Sequence, residues 1–182
     1  LSNIHRQSLY DISDIKKSKV KCVKKKLKKI NPKTLVRTYN FRLTEKNFDK
    51  LINLYDFIVD GSDNFKTKFL INDYALKFKK FLTVGAINKF DGHIFTYNFD
   101  KKNTPCLRCF FQEENISDEI LNCEYGGVLG TVAGIIGTLQ ANEVLKQILN
   151  IGKGLDGQIL ILDLLNLNFR KAKIKKQKKC IC

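Results

Sequence analysis

The sequence predicts an α/β fold: a mostly parallel sheet with helices on both faces and an antiparallel C-terminal extension. Three observations carry this. Stretches of helical period alternate with compact apolar runs between residues 16 and 86, a pattern that implies parallel strands joined by helical crossovers. The run Tyr55-Asp56-Phe57-Ile58-Val59-Asp60 is buried in character and ends on a carboxylate. After residue 86 the helical alternation stops and two later segments read as a hairpin.

The elements follow in order. Val20, Val23, Leu27 and Ile30 recur at helical spacing, which predicts a helix over 16–30 that stops before Asn31-Pro32. Thr34–Tyr39 reads as a strand. A short helix starts at Thr44, a good N-cap, with Phe48, Leu51 and Ile52 on its apolar face. The 55–60 strand comes next, then a helix over 64–79 and a strand over 81–86. A turn at Lys89–Gly92 leads into an antiparallel strand over 92–99. Residues 100–125 form a polar crossover loop, 127–149 a long helix, and 158–163 with 168–174 a closing hairpin.

With 182 residues and 43% hydrophobic content, the chain suits a single domain and excludes wholesale disorder. Six cysteines are too few for a disulfide miniprotein, and without a signal-peptide pattern they fit a reducing compartment. The run Val128–Leu139 is too short to cross a bilayer. The net charge of +15 is uneven: nine Lys crowd residues 16–30 and six more fill the basic tail 171–182, with no acid in either. Such patches can bind nucleic acid, although a solvated helix face with a charged tail is the plainer reading. Lys outnumbers Arg 28 to 5, whereas phosphate and guanine recognition favours Arg. A zinc-stabilised basic nucleic-acid-binding module is therefore the alternative functional class. A nicotinamide-dependent oxidoreductase lacks its G-x-G-x-x-G between a strand and a helix.

Several groups could carry chemistry. Asp60-Gly61-Ser62-Asp63-Asn64 lies at the carboxyl end of a predicted strand, where α/β sheets bind ligands. One carboxylate can cap the turn while Asp63 faces the crevice and holds Mg²⁺; the plainer reading is a helix N-cap by Ser62 or Asp63. Arg6 and Lys19 could clamp a triphosphate. Cys106 and Cys109 in a C-x-x-C, with Cys180 and Cys182, fit a tetrahedral zinc site that ties the tail to the loop; a redox C-x-x-C is the rival. Cys123 precedes the long helix, whose dipole would lower its pKa and suit a nucleophile or acyl acceptor; a buried free thiol is the alternative. Gly130, Gly134 and Gly137 share a helical face, which suggests close packing of that helix on the sheet.

Taken in order, Leu1-Ser2-Asn3-Ile4-His5-Arg6-Gln7, Lys19, Ile30-Asn31-Pro32, Asp60–Asn64, Gly92-His93-Ile94, Pro105–Cys109, Cys123, Gly137–Ala141 and Asp163 resemble the sulfur-carrier-protein adenylyltransferases, the ThiF/MoeB/HesA group related to ubiquitin-activating enzymes. The resemblance runs the length of the chain and implies a Rossmann-like domain over 1–182. It also implies that this domain is incomplete, because the first strands, the glycine-rich nucleotide loop and the ribose-binding acid lie upstream of Leu1 in that family; the fragment alone is then expected to be inactive.

By the same resemblance, Ser2, Asn3, Ile4, His5, Arg6, Lys19, Asp63 and Asn64 would line an ATP site. Arg6 and Lys19 would hold phosphates, Asp63 would bind Mg²⁺, and Cys123 would form a sulfur-linked intermediate. Cys106, Cys109 and Cys180 would bind zinc; the family's fourth ligand falls one residue past Cys182, so either the chain stops short of it at this end too or Cys182 substitutes in a strained site. Lys68 stands where the family usually has Arg. The implied reaction is ATP-dependent adenylation of the C-terminal glycine of a ubiquitin-fold carrier ending in Gly-Gly, for thiamine or molybdopterin synthesis. Sulfur then comes from a sulfurtransferase or cysteine desulfurase. A homodimer in a bacterial cytoplasm or plastid stroma is the implied setting.

Overall fold

The computed structural model describes residues 4–111 and 127–182. The chain divides into two compact units, the first ending at Leu43 and the second beginning at Thr44.

In the first unit, a single 3-10 turn at Ile12–Asp14 precedes helix α1 (Lys19–Ile30). The apolar periodicity places α1 correctly, but its most buried residue is Cys22, and Ile30 lies 75% exposed at the helix end. Lys26, one of the nine clustered lysines, turns back to Asp11 and Asp14 at 3.1 and 3.0 Å. The strand expected at Thr34–Tyr39 does not form among the described residues: the segment has no ladder partner, and Leu35 is exposed. A β-prone run becomes a strand only when another strand satisfies its N–H and C=O groups.

The second unit begins with α2 (Glu45–Ile52), N-capped by Thr44, whose N–H donates to Asn47 Oδ1 at 2.8 Å. Strand β1 (Phe57–Asp60) follows, then α3 (Phe65–Lys77), β2 (Phe81–Asn88) and β3 (Asp91–Asn98). A four-residue helix α4 (Leu107–Phe110), the long α5 (Gly130–Leu149), and β4 (Gln158–Asp163) with β5 (Asn168–Lys173) complete it.

The sheet order is β1-β2-β3-β4-β5. Only β1 and β2 are parallel, in the register Asp60↔Val84; the remaining pairs are antiparallel. Within the described residues the sheet is mixed: β1 and β2 are its parallel part, and the expected antiparallel extension begins where Lys89 and Phe90 turn β2 back into β3. The α/β class and the helices on both faces stand. Ile94, Leu160 and Leu162 pack against Val132 and Ile136 of α5 on one face. Phe95, next to Ile94 and therefore on the opposite face, meets Phe110 and Phe111 at 5.2 and 5.7 Å between ring centroids.

Two glycines mark where α5 presses on the sheet. A Cβ on Gly85 would lie 2.7 Å from Gln140 Cδ, and one on Gly92 would lie 2.6 Å from Ile136 Cγ1. Two glycines of α5 itself, Gly134 and Gly137, do not serve this purpose. They do not meet the sheet: among the described residues nothing lies within 4 Å of where a Cβ would stand, so the close-packing expectation fails for them. Helix α5 meets the sheet through Val132, Ile136, Gln140 and Glu143.

Candidate active site and metal centre

Asp60 ends β1 nearly buried, at 2% exposure, and is held from several sides. Its Oδ1 accepts the Ser62 N–H at 2.8 Å, and its Oδ2 receives Lys68 Nζ at 3.2 Å. The same ammonium donates to the Gly85 carbonyl at 2.7 Å. From the other face of the sheet, Gln140 Nε2 donates to the Asp60 carbonyl at 2.9 Å. Burial pushes the Lys68 pKa down, and the Asp60 and Asp63 carboxylates resist that shift. Asp60 is therefore the turn-capping carboxylate that the strand-end spacing calls for.

Three residues on, Asp63 is exposed, and its Oδ1 accepts Asn64 Nδ2 at 3.2 Å. The N-cap of α3 is Asn64, whose Oδ1 accepts the Thr67 N–H at 2.9 Å; neither Ser62 nor Asp63 serves as the cap. Asp63 thus keeps a carboxylate at the carboxyl end of β1 with no capping duty, and one or two such groups are what Mg²⁺ commonly takes from protein. His93 lies on β3, and burial lowers its pKa against the pull of Asp91. Asp163 closes the β4–β5 turn by accepting the N–H groups of Leu165 and Asn166 at 3.1 and 3.0 Å.

The remaining nucleotide-site candidates among the described residues belong to the first unit. Arg6 and His5 are neighbours, with Nη1 3.3 Å from Nε2. Ile4 and Lys19 both line a cavity of about 130 Å³ with Gln7, Tyr10 and Asp14. Lys19 Nζ stands 5.9 Å from the centroid of the Tyr10 ring. Ser2, Asn3 and Cys123 lie outside the described residues.

The cysteine quartet comes together. The Sγ atoms of Cys106, Cys109, Cys180 and Cys182 all lie within 4.8 Å of one another and all four are free thiols. Cys106 and Cys180 sulfurs are 3.4 Å apart, and those of Cys109 and Cys182 are 3.3 Å apart. Tetrahedral Zn–S bonds of about 2.3 Å would set sulfurs about 3.8 Å apart, so the donor set fits a metal such as zinc. The short Cys-x-Cys spacing does not prevent Cys182 from joining.

Local structure explains why the first pair is fixed. Leu107 N–H donates to Asn72 Oδ1 at 2.9 Å, and Arg108 grips Asp73 in a bidentate pair at 2.8 and 2.7 Å, which pins α4 to α3. The Gln177 N–H brings the tail in by donating to Cys109 Sγ at 3.5 Å. Burial pushes the Cys106 thiol up, and burial with hydrogen bonds to Cys109 and Cys180 pushes Cys182 up to about 11.

Sequence reasoning gives Gln140 no role beyond its place in the Gly137–Ala141 motif and marks Lys68 only as a departure from the family pattern. A signal for Gln140 is nonetheless present: Val132, Ile136 and Gln140 recur every four residues, so a polar side chain in that row must be buried and paired.

The ThiF family profile matches residues 1–182. The chain is 37% identical over 183 residues to the sulfur carrier protein adenylyltransferase of Thermus thermophilus, covering 99% of this chain and 68% of that one. It is 42% identical over 175 residues to a Pyropia yezoensis protein named "Probable molybdopterin-synthase adenylyltransferase", covering 96% and 46%. An adenylyltransferase and sulfurtransferase of Aedes aegypti is 35% identical over 178 residues, covering 98% and 40%. The chain therefore spans roughly two thirds to two fifths of the relatives it matches. Among solved structures, E. coli MccB with ATP superposes with a TM-score of 0.80 at 18% identity over 98% of this chain and 54% of that one, a likeness of fold. With a mixed α/β sheet, a strand-end carboxylate pair, a thiol quartet and a family match over its whole length, the chain belongs to the ThiF family.

Proposed function

We propose that this chain acts in ATP-dependent adenylation of the C-terminal glycine of a ubiquitin-fold sulfur-carrier protein. Membership of the ThiF family supports the reading, and so do the names of its relatives. The observation that carries it is Asp63, exposed beside a neighbour, Asp60, that is locked into the sheet.

In this reading a carrier carboxylate oxygen attacks the α-phosphorus of ATP. The bond from that phosphorus to the bridging oxygen breaks, pyrophosphate leaves, and an acyl-adenylate remains. A carboxylate approaches an anionic phosphate poorly, so Arg6 and Lys19 neutralise the phosphates while Asp63 offers its carboxylate to Mg²⁺. Mg²⁺ would supply charge neutralisation on the departing pyrophosphate. The Cys123 thiol then displaces AMP from the carrier's acyl-adenylate to give a thioester; sulfide, released by a thiol reductant from the persulfide of a sulfurtransferase or cysteine desulfurase, displaces the Cys123 thiol in turn and leaves the carrier thiocarboxylate. The carrier serves molybdopterin or thiamine synthesis, and the active protein is a homodimer of the cytoplasm or the plastid stroma. No helix among the described residues is long and apolar enough to cross a membrane.

Cys106, Cys109, Cys180 and Cys182 would hold zinc in a structural role, since four thiolates leave it no open position.

The test is ATP–pyrophosphate exchange by the protein that carries this chain, with a carrier ending in Gly-Gly. Exchange that needs the carrier and falls by at least about 100-fold in Asp63→Asn supports the reading. A folded, zinc-loaded protein with no exchange overturns it. Binding of DNA or RNA that weakens steeply with salt, in the absence of exchange, would favour the nucleic-acid module instead.

A further inference from the structure

The turn that presents Asp63 has little side-chain anchorage in its middle. Among the described residues nothing lies within 4 Å of where a Cβ on Gly61 would stand, and the Ser62 hydroxyl, though buried, has no hydrogen-bond partner. The turn is held instead at its two ends, and one residue holds both. Lys68 stands one helical turn into α3, where its N–H donates to the Asn64 carbonyl at 3.1 Å. Its ammonium reaches back to the Asp60 carboxylate at 3.2 Å. Residues 60–68 therefore close a ring through a single side chain.

The steps inside the ring are bonded as well. Asp60 Oδ1 accepts the Ser62 N–H at 2.8 Å, and Asn64 Oδ1 accepts the Thr67 N–H at 2.9 Å. Asn64 Nδ2 donates to Asp63 Oδ1 at 3.2 Å, so the candidate metal ligand leans on the cap of the same helix. The ring is also tied to the sheet. Lys68 Nζ donates to the Gly85 carbonyl at 2.7 Å, and Gly85 follows Val84, the register partner of Asp60 on β2.

Stability alone is a poor reason for a cation at this place. Lys68 is 6% exposed, and replacing a buried ion pair by well-packed apolar side chains of similar volume is often neutral or stabilising. An ammonium supplies direction, which a methyl group does not. It carries three donors, and the two acceptors it meets here lie on different strands. Direction matters at a ligating carboxylate, which needs its supports to hold it within about 0.5 Å of the productive geometry.

We propose that Lys68 is a positioning residue for Asp63: by holding both ends of the 60–64 turn, it fixes where the Asp63 carboxylate stands. The inference rests on the adenylation reading for the duty of Asp63. It goes beyond that reading by giving a buried lysine, which touches no nucleotide, a share in metal-ion use.

The experiment uses the protein that carries this chain and compares wild type, Lys68→Met/Asp60→Asn and Ile159→Val. The double substitution removes the ammonium without stranding a carboxylate, and the amide oxygen that replaces Asp60 Oδ1 can still accept the Ser62 N–H. Ile159→Val trims a buried side chain of β4 and shows what general destabilisation does. Two quantities are read. One is hydrogen-exchange protection of the N–H groups at positions 62, 67 and 68 relative to those of β3 and β4. The other is the Mg²⁺ concentration that half-saturates ATP–pyrophosphate exchange, taken beside the KM for the carrier.

In the double variant, protection at the three positions should fall about 10-fold further than in β3 and β4. The Mg²⁺ requirement should rise about 10- to 100-fold, with the carrier KM within about twofold of wild type. Ile159→Val should lower protection evenly and leave the Mg²⁺ requirement alone. Unchanged protection in the double variant, or an even loss like that of Ile159→Val, overturns the proposal, since Lys68 would then only fill the core. A locally loosened turn with an unmoved Mg²⁺ requirement also overturns it, because Asp63 would keep its place without Lys68. A wild-type protein that carries out no exchange defeats the adenylation reading instead, and the amide comparison then decides by itself whether Lys68 fixes the turn.

Discussion

Gln140 of α5 donates its side-chain amide to the main-chain carbonyl of Asp60 at 2.9 Å, while Lys68 of α3 reaches the Asp60 carboxylate at 3.2 Å. The last residue of β1 is thereby gripped from both faces of the sheet. Gln140 Nε2 also lies 3.3 Å from the Thr83 carbonyl, so one side chain spans two adjacent strands.

Replacing Gln140 with Ala leaves the buried Asp60 carbonyl without this partner and opens a void beside Gly85. We expect a loss of about 1–3 kcal/mol in chemical denaturation, with no change in the zinc content of the folded protein. Gly85→Ala pushes a methyl group into the same amide and should cost a similar amount, about 1–3 kcal/mol.

Lys68→Met tests the other half of the grip. It strands a carboxylate that is 1% exposed at its side chain, and breaking a buried pair in this way typically costs about 3–5 kcal/mol. Adding Asp60→Asn to Lys68→Met removes the orphaned charge and should restore part of the loss, a coupling that a double-mutant cycle reads directly.

Asp63→Asn should behave in the opposite manner. The side chain is exposed and caps nothing, so stability is expected to stay within about 0.5 kcal/mol of wild type. Exchange of pyrophosphate into ATP should disappear. A melting temperature that falls along with the activity would make Asp63 a structural residue.

Cys106→Ser should lower bound metal, measured by elemental analysis, and should free the tail around Gln177 to proteolysis. An excess of chelator applied to wild type should reproduce the second effect.

The first unit carries a pH-sensitive clip. Hydrogen bonds from Ser13 and Lys26 hold the Asp11 carboxyl at about 2, and Asp14 is lowered chiefly by Lys26. Because these folded pKa values lie below the ordinary 3.8, their contribution is complete above about pH 4 and is lost as pH falls towards 2. The Lys26 pKa is raised, by Asp14 first, so its share persists below 10.5 and fades above it. Amide protection across Lys19–Ile30, corrected for the intrinsic pH dependence of exchange, should fall at both extremes, and about 1 M salt should weaken the effect because Asp11 is exposed.

What could be read in advance follows the range of the interactions involved. Helices α1, α2, α3 and α5 are visible in the sequence because their signals repeat every three or four residues, and the β4–β5 hairpin because its turn is local. The spacing of Asp60 and Asp63 lets one carboxylate cap the strand turn, and Asp60 does so. The cap is harder: Asn64, Ser62 and Asp63 are all good N-caps, and only the path of the backbone selects Asn64. Thr34–Tyr39 misleads for the converse reason, since strand propensity says nothing about a partner. Gly134 and Gly137 of α5 miss the sheet because spacing shows which residues share a helical face without showing where that face points. The metal site needs Cys109 and Cys182 to meet across 73 positions; composition suggests the meeting, and only folded geometry supplies it.

The separation of Asp60 from Asp63 has a bearing on inheritance. Alleles altered at the anchored carboxylate would be cleared by cellular quality control as misfolded chains. Alleles altered at its exposed neighbour would accumulate to full abundance as intact, well-folded polypeptide.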